Sequence, residues 1–259
     1  MSFISKIENN VFVFTLDNVA NGNTIDTELL QGLNAAIDQV NENAEIKGLI
    51  LTGQDRFFCS GLSIRSLLSF TGRQEIINWF KLLQETFYKL FVCTKPVIAA
   101  INGHCVGAGM LLALSSDYRL VLNNPKTKIA LPEIKLGMGF GPATGEIVRF
   151  GLGSDKNYKD IMFSGEPFSP QAAIDYGIFD EIVDDAAELM AKAFAKAIAY
   201  YGIHPHAFAL LKDNEKKHSA KIARDEFDVY NWDEAANQFT NEKNLASLRK
   251  ALDKPPKTK

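Results

Sequence analysis

The sequence predicts an α/β protein, and two observations carry this prediction. Between residues 11 and 122, short apolar runs typical of buried strands alternate with longer segments whose apolar residues recur at helical spacing. After about residue 140 the strand-like runs fade, and helical segments follow one another. Strands that alternate with helices imply crossover units, and therefore an α/β core.

The first half of the chain supplies the strands. Residues 11–16 (VFVFTL) and 48–52 (GLILT) have the composition of short buried strands, and residues 27–40 between them have the apolar spacing of a helix. The elements predicted after these are a helix at 75–91, a strand at 96–101 (PVIAAI), a helix at 109–114 and a strand at 117–122.

The second half of the chain predicts helices at 143–150, 155–163, 169–176 and 186–199. The third of these begins with Ser169 as a cap and a proline at the first helical position. A mixed-charge helical tail runs from about residue 222 to Pro255-Pro256. We therefore divide the chain into an α/β core at 1–200 and a helical C-terminal region at 201–259. The C-terminal region would either mediate association between subunits or form a solvated lid.

Composition narrows the functional classes. With 259 residues, 46% of them hydrophobic and 23% charged, the chain can form one main core with a smaller appended element. A net charge of -3 argues against nucleic acid and anionic membranes as partners. No run of about 18 apolar residues is present, and Cys59, Cys93 and Cys105 have no CxxC spacing. We expect reduced thiols and a cytoplasmic protein.

Two turns of matching construction are the first candidate site. In FFCSGLSIRSL (57–67), a strand is followed by Ser60-Gly61 and a helix-like segment. In GHCVGAGMLLALSSDYRL (103–120), Gly107-Ala108-Gly109 leads into an apolar helix. Each turn would present backbone N–H groups just past a glycine. Two such donors aimed at one point form an oxyanion hole.

Glu133 is the best acid/base candidate. It lies in IALPEIKLGMGFG (129–141), where apolar residues surround it. Burial of this kind raises the pKa of a carboxyl and suits it to move protons near neutral pH. The alternative interpretation is that Glu133 caps a helix after Pro132.

Other residues fit known kinds of site less well. His104 has no identifiable carboxylate to orient it, and Cys59 beside the first turn is either a nucleophile or a core residue. Ser60 and Ser63 form no Ser/His/Asp set, and GMGFG (137–141) is not a dinucleotide-binding motif. Scattered His and Cys residues argue against a metal site. The aromatic residues spaced along 70–91 are typical of a core, although part of them could line an acyl tunnel.

A series of segments in a fixed order carries a family resemblance: FTLDN, LTGQDRFFCSGLSI, KPVIAAINGHCVGAGMLLALSSDYRL, LPEIKLGMGFGP and SGEPFSPQAAIDYGIFDEIV. Over nearly the whole chain they resemble the enoyl-CoA hydratase/isomerase (crotonase) family. The resemblance implies a crotonase-like spiral of ββα units with a helical C-terminal trimerisation region. It also implies a homotrimer or a hexamer of two trimers, and an acyl-CoA substrate whose coenzyme A is the only cofactor-like group.

The resemblance also implies roles for residues of the two turns. The N–H groups of Leu62 and Ala108 would hold the thioester oxygen, and Arg65 would contact a phosphate at the nucleotide end of the ligand. The implied substrate-binding residues are Ser60, Gly61, Arg65, Gly107, Gly109 and Leu111.

The departures from the family pattern favour one reaction. Hydratases of this family carry one glutamate at the position of Leu111 and a second at the position of Glu133. Hydration needs carboxylates that position and deprotonate water, whereas moving a double bond needs one base that takes and returns a proton. A leucine with a single glutamate resembles the Δ3,Δ2-enoyl-CoA isomerases. The dienoyl-CoA isomerase variant expects an aspartate near Gly141, so we place it lower.

We therefore expect an isomerase of fatty acid metabolism in which Glu133 moves a proton from C2 to C4 of a 3-enoyl-CoA. Two alternatives stay open. One is another crotonase reaction, namely hydration, decarboxylation or thioester hydrolysis, for which His104 or a serine would matter. The other is a noncatalytic acyl-CoA-binding scaffold.

Overall fold

The computed structural model describes residues 2–252 and confirms the α/β class. The Pro255-Pro256 end of the expected helical tail lies outside the described residues. The strands are β1 (Phe3–Glu8), β2 (Val11–Leu16), β3 (Leu49–Gly53), β4 (Phe57–Cys59), β5 (Val97–Ile101), β6 (His104–Val106), β7 (Tyr118–Leu122), β8 (Ile129–Ala130) and β9 (Glu181–Val183).

The helices alternate with these strands up to α6 and then dominate. They are α1 (Thr27–Glu42), α2 (Ile64–Ser69), α3 (Arg73–Phe91), α4 (Ala108–Ser115), α5 (Glu133–Leu136), α6 (Pro142–Gly151), α7 (Asp155–Met162), α8 (Pro170–Asp175), α9 (Ala186–Ile203), α10 (Pro205–Val229), α11 (Trp232–Thr240) and α12 (Glu242–Leu252). Among the described helices, none combines the length and the apolar composition that crossing a bilayer requires.

A six-stranded sheet forms the centre of the core, in the order β1-β2-β3-β5-β7-β9. Strands β1 and β2 are antiparallel, and the remaining neighbours are parallel. All five residues of β5 are buried because helices cover both faces of the sheet at its centre. The four strands predicted at 11–16, 48–52, 96–101 and 117–122 all belong to this sheet, but β1 and β9 were not predicted.

A second, parallel sheet has the order β4-β6-β8. It arises because β3, β5 and β7 are each followed by a short strand of this second sheet and then by a helix. Each ββα repeat thus gives one strand to each sheet. This is the crotonase-like spiral that the family resemblance implied.

Helix α4 runs through the interior between the two sheets and α6. Every residue from Ala108 to Ser115 is buried, which explains why its sequence is apolar on all sides. At its end, Arg119 on β7 donates hydrogen bonds to the carbonyls of Ala113 and Leu114. A cation therefore satisfies carbonyl groups that the end of a buried helix leaves free.

Helix α10 carries the chain from the core into the C-terminal region. The predicted boundary at residue 200 falls within α9, which continues to Ile203, and the two-part division of the chain stays a prediction. Two buried lysines of α10 contact Asp117: Lys212 Nζ lies 2.5 Å from Oδ2 and Lys216 Nζ lies 2.7 Å from Oδ1. Burial alone would raise the pKa of Asp117, but the two lysines lower it below its usual value. This ion cluster anchors α10 to the large sheet.

Replacing the buried anion should destabilise the protein strongly. Asp117→Ala leaves Lys212 and Lys216 without their carboxylate and removes the acceptor of the Val97 N–H. Removing one partner of a buried ion cluster costs about 3–5 kcal/mol of unfolding free energy, which urea unfolding followed by circular dichroism would measure. The control is Asp225→Ala, which breaks the exposed pair with Lys221 and should cost under about 0.5 kcal/mol. Equal effects of the two variants would contradict the anchoring role.

Candidate active site

The two glycine turns pack directly against each other. Gly61 and Gly107 have positive φ angles of 103° and 57°. A Cβ atom added to Gly61 would lie 3.3 Å from the carbonyl oxygen of Val106 and 3.7 Å from the amide nitrogen of Ala108. A Cβ atom added to Gly109 would lie 2.2 Å from the carbonyl oxygen of Cys59. The backbones can approach this closely because these positions have no side chain.

The amides of Leu62 and Ala108 are both available to a ligand. Ile25 donates its N–H to the carbonyl of Gly61 (2.8 Å) and accepts the N–H of Ser63 (2.8 Å). In this parallel bridge the intervening residue, Leu62, turns its own N–H to the opposite side. Ala108 is the first residue of α4, where an N–H has no acceptor within the helix.

Leu62 and Ala108 line a cavity of about 50 Å³, which we call the inner cavity. Most of its other walls are apolar and aromatic. The further lining residues are Phe80, Leu83, Gln84, Leu111, Glu133, Met138, Gly139, Phe140, Gly141, Thr144, Tyr230, Trp232, Ala235, Gln238 and Phe239. Its apolar character suits an acyl group.

Glu133 is the only acidic residue that lines the inner cavity in the described part of the chain. It begins the one-turn helix α5 and is 8% exposed, and Pro132 rather than Glu133 occupies the cap position. Its Oε1 would lie 3.4 Å from a Cβ atom on Gly107, so the carboxyl group faces the second turn. Its Oε2 has no hydrogen-bond partner among the described residues. Burial raises the pKa of Glu133 to about 7.

Leu111 brings an alkyl side chain to the same cavity. It follows Ala108 by one turn of α4, so both residues lie on one side of that helix. It is 4% exposed. The position at which the family's hydratases carry an acid is therefore filled by a hydrocarbon in contact with the inner cavity.

Gly141 likewise leaves no room for an acid. A Cβ atom at this position would lie 2.5 Å from Cδ of Gln84. The buried Gln84 is fixed in place because its Oε1 accepts the N–H groups of Ala143 and Thr144, each at 3.0 Å. Gln84 thus fills the space that an aspartate at position 141 would need.

The alternative nucleophiles and bases lie outside the lining of the inner cavity in the described part of the chain. Burial lowers the pKa of His104, whose Nδ1 accepts the N–H of Lys128 at 3.0 Å. Burial raises the pKa of the Cys59 thiol to about 12, which makes it a poor nucleophile. Ser63 caps α2 by accepting the N–H of Ser66. These residues have structural contacts that account for them.

Two implied contacts lie away from the inner cavity. Arg65 is exposed on α2, and Ser60 packs against Gly22. Their proposed contacts with a ligand stay predictions. Within residues 2–252, no three His, Cys, Asp or Glu side chains lie close enough to share a metal ion.

One wall of the inner cavity was not predicted at all. Tyr230, Trp232 and Phe239 come from the C-terminal region, and the ring centroid of Phe239 lies 4.2 Å from that of Phe80 of α3. Of the aromatic residues at 70–91, Phe80 is the one that lines this cavity in the described structure. The sequence does show a cluster of aromatic residues in the mixed-charge tail. Their spacing alone, however, does not identify the helix against which they pack.

The family model for enoyl-CoA hydratase/isomerase matches residues 6–250. The chain belongs to the enoyl-CoA hydratase/isomerase family. A relative from Bacillus subtilis (strain 168), named a probable enoyl-CoA hydratase, is 30% identical over 203 residues, which are 78% of this chain and 76% of the relative.

Solved structures support the fold of this family member. Human mitochondrial Δ3-Δ2-enoyl-CoA isomerase has a TM-score of 0.88 at 23% identity, with 97% of each chain covered. Enoyl-CoA hydratase from Bacillus halodurans has a TM-score of 0.84 at 22% identity, with 96% of this chain and 100% of the other covered. Isomerases and hydratases both share the fold, so the fold does not distinguish between the two reactions.

The raised pKa of Glu133 should be visible as pH-dependent stability. Its ordinary value is 4.5, and its value in the folded chain is about 7. The folded state therefore holds this proton more tightly, and the resulting stability is present below pH 4.5 and is lost as pH rises through 7. Between pH 5 and 8, Glu133→Gln should gain about 2–3 kcal/mol of unfolding free energy relative to wild type. Urea unfolding at each pH tests this, and parallel pH profiles for the two proteins would contradict it.

Proposed function

We propose that this family member is an enoyl-CoA isomerase of the Δ3,Δ2 type. The observation that carries the proposal is the combination of one carboxyl group, Glu133, with two available amides and with Leu111 in place of a second acid. The substrate would be an acyl-CoA thioester with a double bond at C3, and the product would carry it at C2.

The thioester oxygen would accept the N–H groups of Leu62 and Ala108. Removing a proton from C2 forms a dienolate, whose negative charge develops on this oxygen and is stabilised by the two amides. The proton passes to the Glu133 carboxylate. Glu133 then returns it at C4, and the double bond moves to C2–C3 with no net gain or loss of atoms.

The environment of Glu133 suits a base that must also act as an acid. A pKa of about 7 lets the carboxylate and the carboxylic acid interconvert readily near neutral pH. The apolar side chain of Leu111 keeps water away from the dienolate. A hydratase would instead need water held next to the double bond, and here one of the two acids that hold it is missing.

Several finer properties belong to the same proposal. Coenzyme A would enter as part of the substrate, with Arg65 near one of its phosphates and no separate cofactor. The C-terminal helices would support a homotrimer or a hexamer in the cytoplasm. The net charge of -3 gives no reason to expect nucleic acid as a partner.

Isomerisation should depend on the Glu133 carboxyl group. Purified protein given a 3-enoyl-CoA should form the 2-enoyl-CoA, and the rate should rise with pH through about 7 as Glu133 ionises. Glu133→Gln should lower kcat by at least about a hundredfold because it removes the base. Glu166→Gln, at an exposed acid paired with Lys135, is the matched control and should keep the wild-type rate. Hydration of a 2-enoyl-CoA without isomerisation would rule out the proposal.

The Ala108 amide can be deleted by substitution. Ala108→Pro removes the N–H, and proline is tolerated at the first position of a helix. We expect kcat to fall by about 10²–10³ because one of two oxyanion donors is lost. Ala186→Pro is the matched control, since it places proline at the first position of the remote helix α9 after an extended residue. Unchanged kinetics in a folded Ala108→Pro protein would contradict the assignment of this amide.

A further inference from the structure

A thin loop separates the inner cavity from a second cavity. Residues 138–141, between α5 and α6, have one side on the inner cavity and the other on a space of about 380 Å³, which we call the outer cavity. The residues that line both cavities are Met138, Gly139, Phe140, Gly141 and Tyr230. We call this set the partition.

The outer cavity has the chemistry of an alkyl site. Ile134 and Phe163 line it and are 49% and 65% exposed, and Met162 adds a third apolar side chain. Large exposed apolar side chains in a concavity are typical of a binding surface. The carboxylates of Glu146 and Glu226 also line it, and they would repel the phosphates of coenzyme A. Hydrocarbon therefore fits this cavity, and the nucleotide end of the substrate does not.

The two ends of the partition loop are held locally: the Met138 N–H donates to the carbonyl of Glu133 and the Gly141 N–H donates to Oγ1 of Thr144, each at 3.0 Å. Side chains from elsewhere hold its middle and the adjoining Gly137. The Tyr230 hydroxyl donates to the carbonyl of Phe140 at 3.3 Å, and the Gly139 N–H donates to Oε1 of Gln238 at 2.9 Å. Asn244 Nδ2 donates to the carbonyl of Gly137 at 3.1 Å. Each of these side chains comes from the C-terminal region. Gly137, Gly139 and Gly141 give the loop itself wide conformational freedom.

The path of the acyl chain leads to the partition. With the thioester oxygen at Leu62 and Ala108, and with C2 and C4 beside Glu133, the chain beyond C4 occupies the rest of the inner cavity, of which the partition forms one wall. Ile134, the residue after Glu133, lines the outer cavity, and Met138 lines both cavities.

This inference rests on the proposed function. We propose that the partition is a chain-length gate, and that the outer cavity binds the distal methylene groups of long acyl chains. The Tyr230–Phe140 hydrogen bond holds the gate shut around short chains. Long chains displace the partition and join the two cavities.

Filling the outer cavity tests the binding site. Gly145 of α6 lines only the outer cavity, and a Cβ atom there would meet no atom closer than Cβ of Phe140 at 3.8 Å. Gly145→Phe should leave affinity and kcat/KM for a six-carbon 3-enoyl-CoA unchanged. We define the chain-length ratio as kcat/KM for a fourteen-carbon 3-enoyl-CoA divided by kcat/KM for the six-carbon one. Gly145→Phe should lower this ratio at least about tenfold, because several methylene groups lose their apolar site. Gly202→Phe, in α9 with no atom within 4 Å, is the matched control and should keep the ratio.

Phe163→Ser gives a second test of the outer cavity that adds no volume. Phe163→Ser should lower the same ratio because it makes the outer cavity more polar. It can be measured even if the Gly145→Phe protein does not fold. An unchanged ratio in a folded variant would overturn the outer cavity as an acyl site.

Tyr230→Phe tests the gate itself. It removes the donor to Phe140 and keeps the ring, so the fourteen-carbon to six-carbon ratio should rise about two- to tenfold, the range expected for one lost hydrogen bond. An unchanged ratio would overturn the gate.

Calorimetry with saturated acyl-CoAs of both lengths distinguishes a failure of the proposed function from a failure of the gate. If wild type binds neither, the proposed function fails; if it binds both and no variant changes the ratio, only the present inference fails.

Discussion

The approach of two backbone segments without intervening side chains is the constraint on which the site depends. Added Cβ atoms at Gly53, Gly103 and Gly109 would lie 2.2, 2.1 and 2.2 Å from carbonyl oxygens of residues 56–59, in and beside β4. The small sheet can therefore lie against the large one only where these positions lack side chains. Because the turns are extensions of β4 and β6, the amides of Leu62 and Ala108 are fixed by the sheet itself. Donors that are positioned before the reaction need no reorganisation as charge develops, which is why fixed amides are effective.

Burial, rather than a neighbouring charge, sets the properties of Glu133. A second carboxylate in a small cavity would couple to the first, and the pair would titrate in two steps. With Leu111 and Gly141 at the positions where a second acid would lie, the pKa of Glu133 is raised to about 7 mainly by burial. Gln84 reinforces this arrangement, since its amide both caps α6 and fills the space beside Gly141.

The sequence predicted those parts of the structure that have long, regular patterns. Strands β2, β3 and β5 of the large sheet are apolar runs that are buried on both faces, so their composition is distinctive. Strands β6 and β8 have three and two residues, too few for any periodicity, and their pairing depends on the turns around them. The two turns and Glu133 were predicted because local sequence determines them. The wall of Tyr230, Trp232 and Phe239 was not predicted, because the contact of Phe239 with Phe80 joins residues far apart in the chain and no local rule specifies it.

The two halves of the inner cavity differ in how firmly they are held. The amides and Glu133 belong to the interleaved sheets and to α5, where any shift would break backbone hydrogen bonds and the packing of buried α4. The opposite wall is attached by the packing of Phe239 against Phe80 and by exposed side-chain contacts, such as Arg73 Nε to Asp233 Oδ1 at 2.7 Å. Exposed ion pairs and lone hydrogen bonds each contribute little net stability. This wall therefore depends on side-chain packing and exposed contacts, whereas the amides depend on backbone hydrogen bonds within the sheets. In the proposed reaction, the first half would position the reacting atoms, and the proposed chain-length gate lies in the second half, where a change of shape leaves the two amides in place.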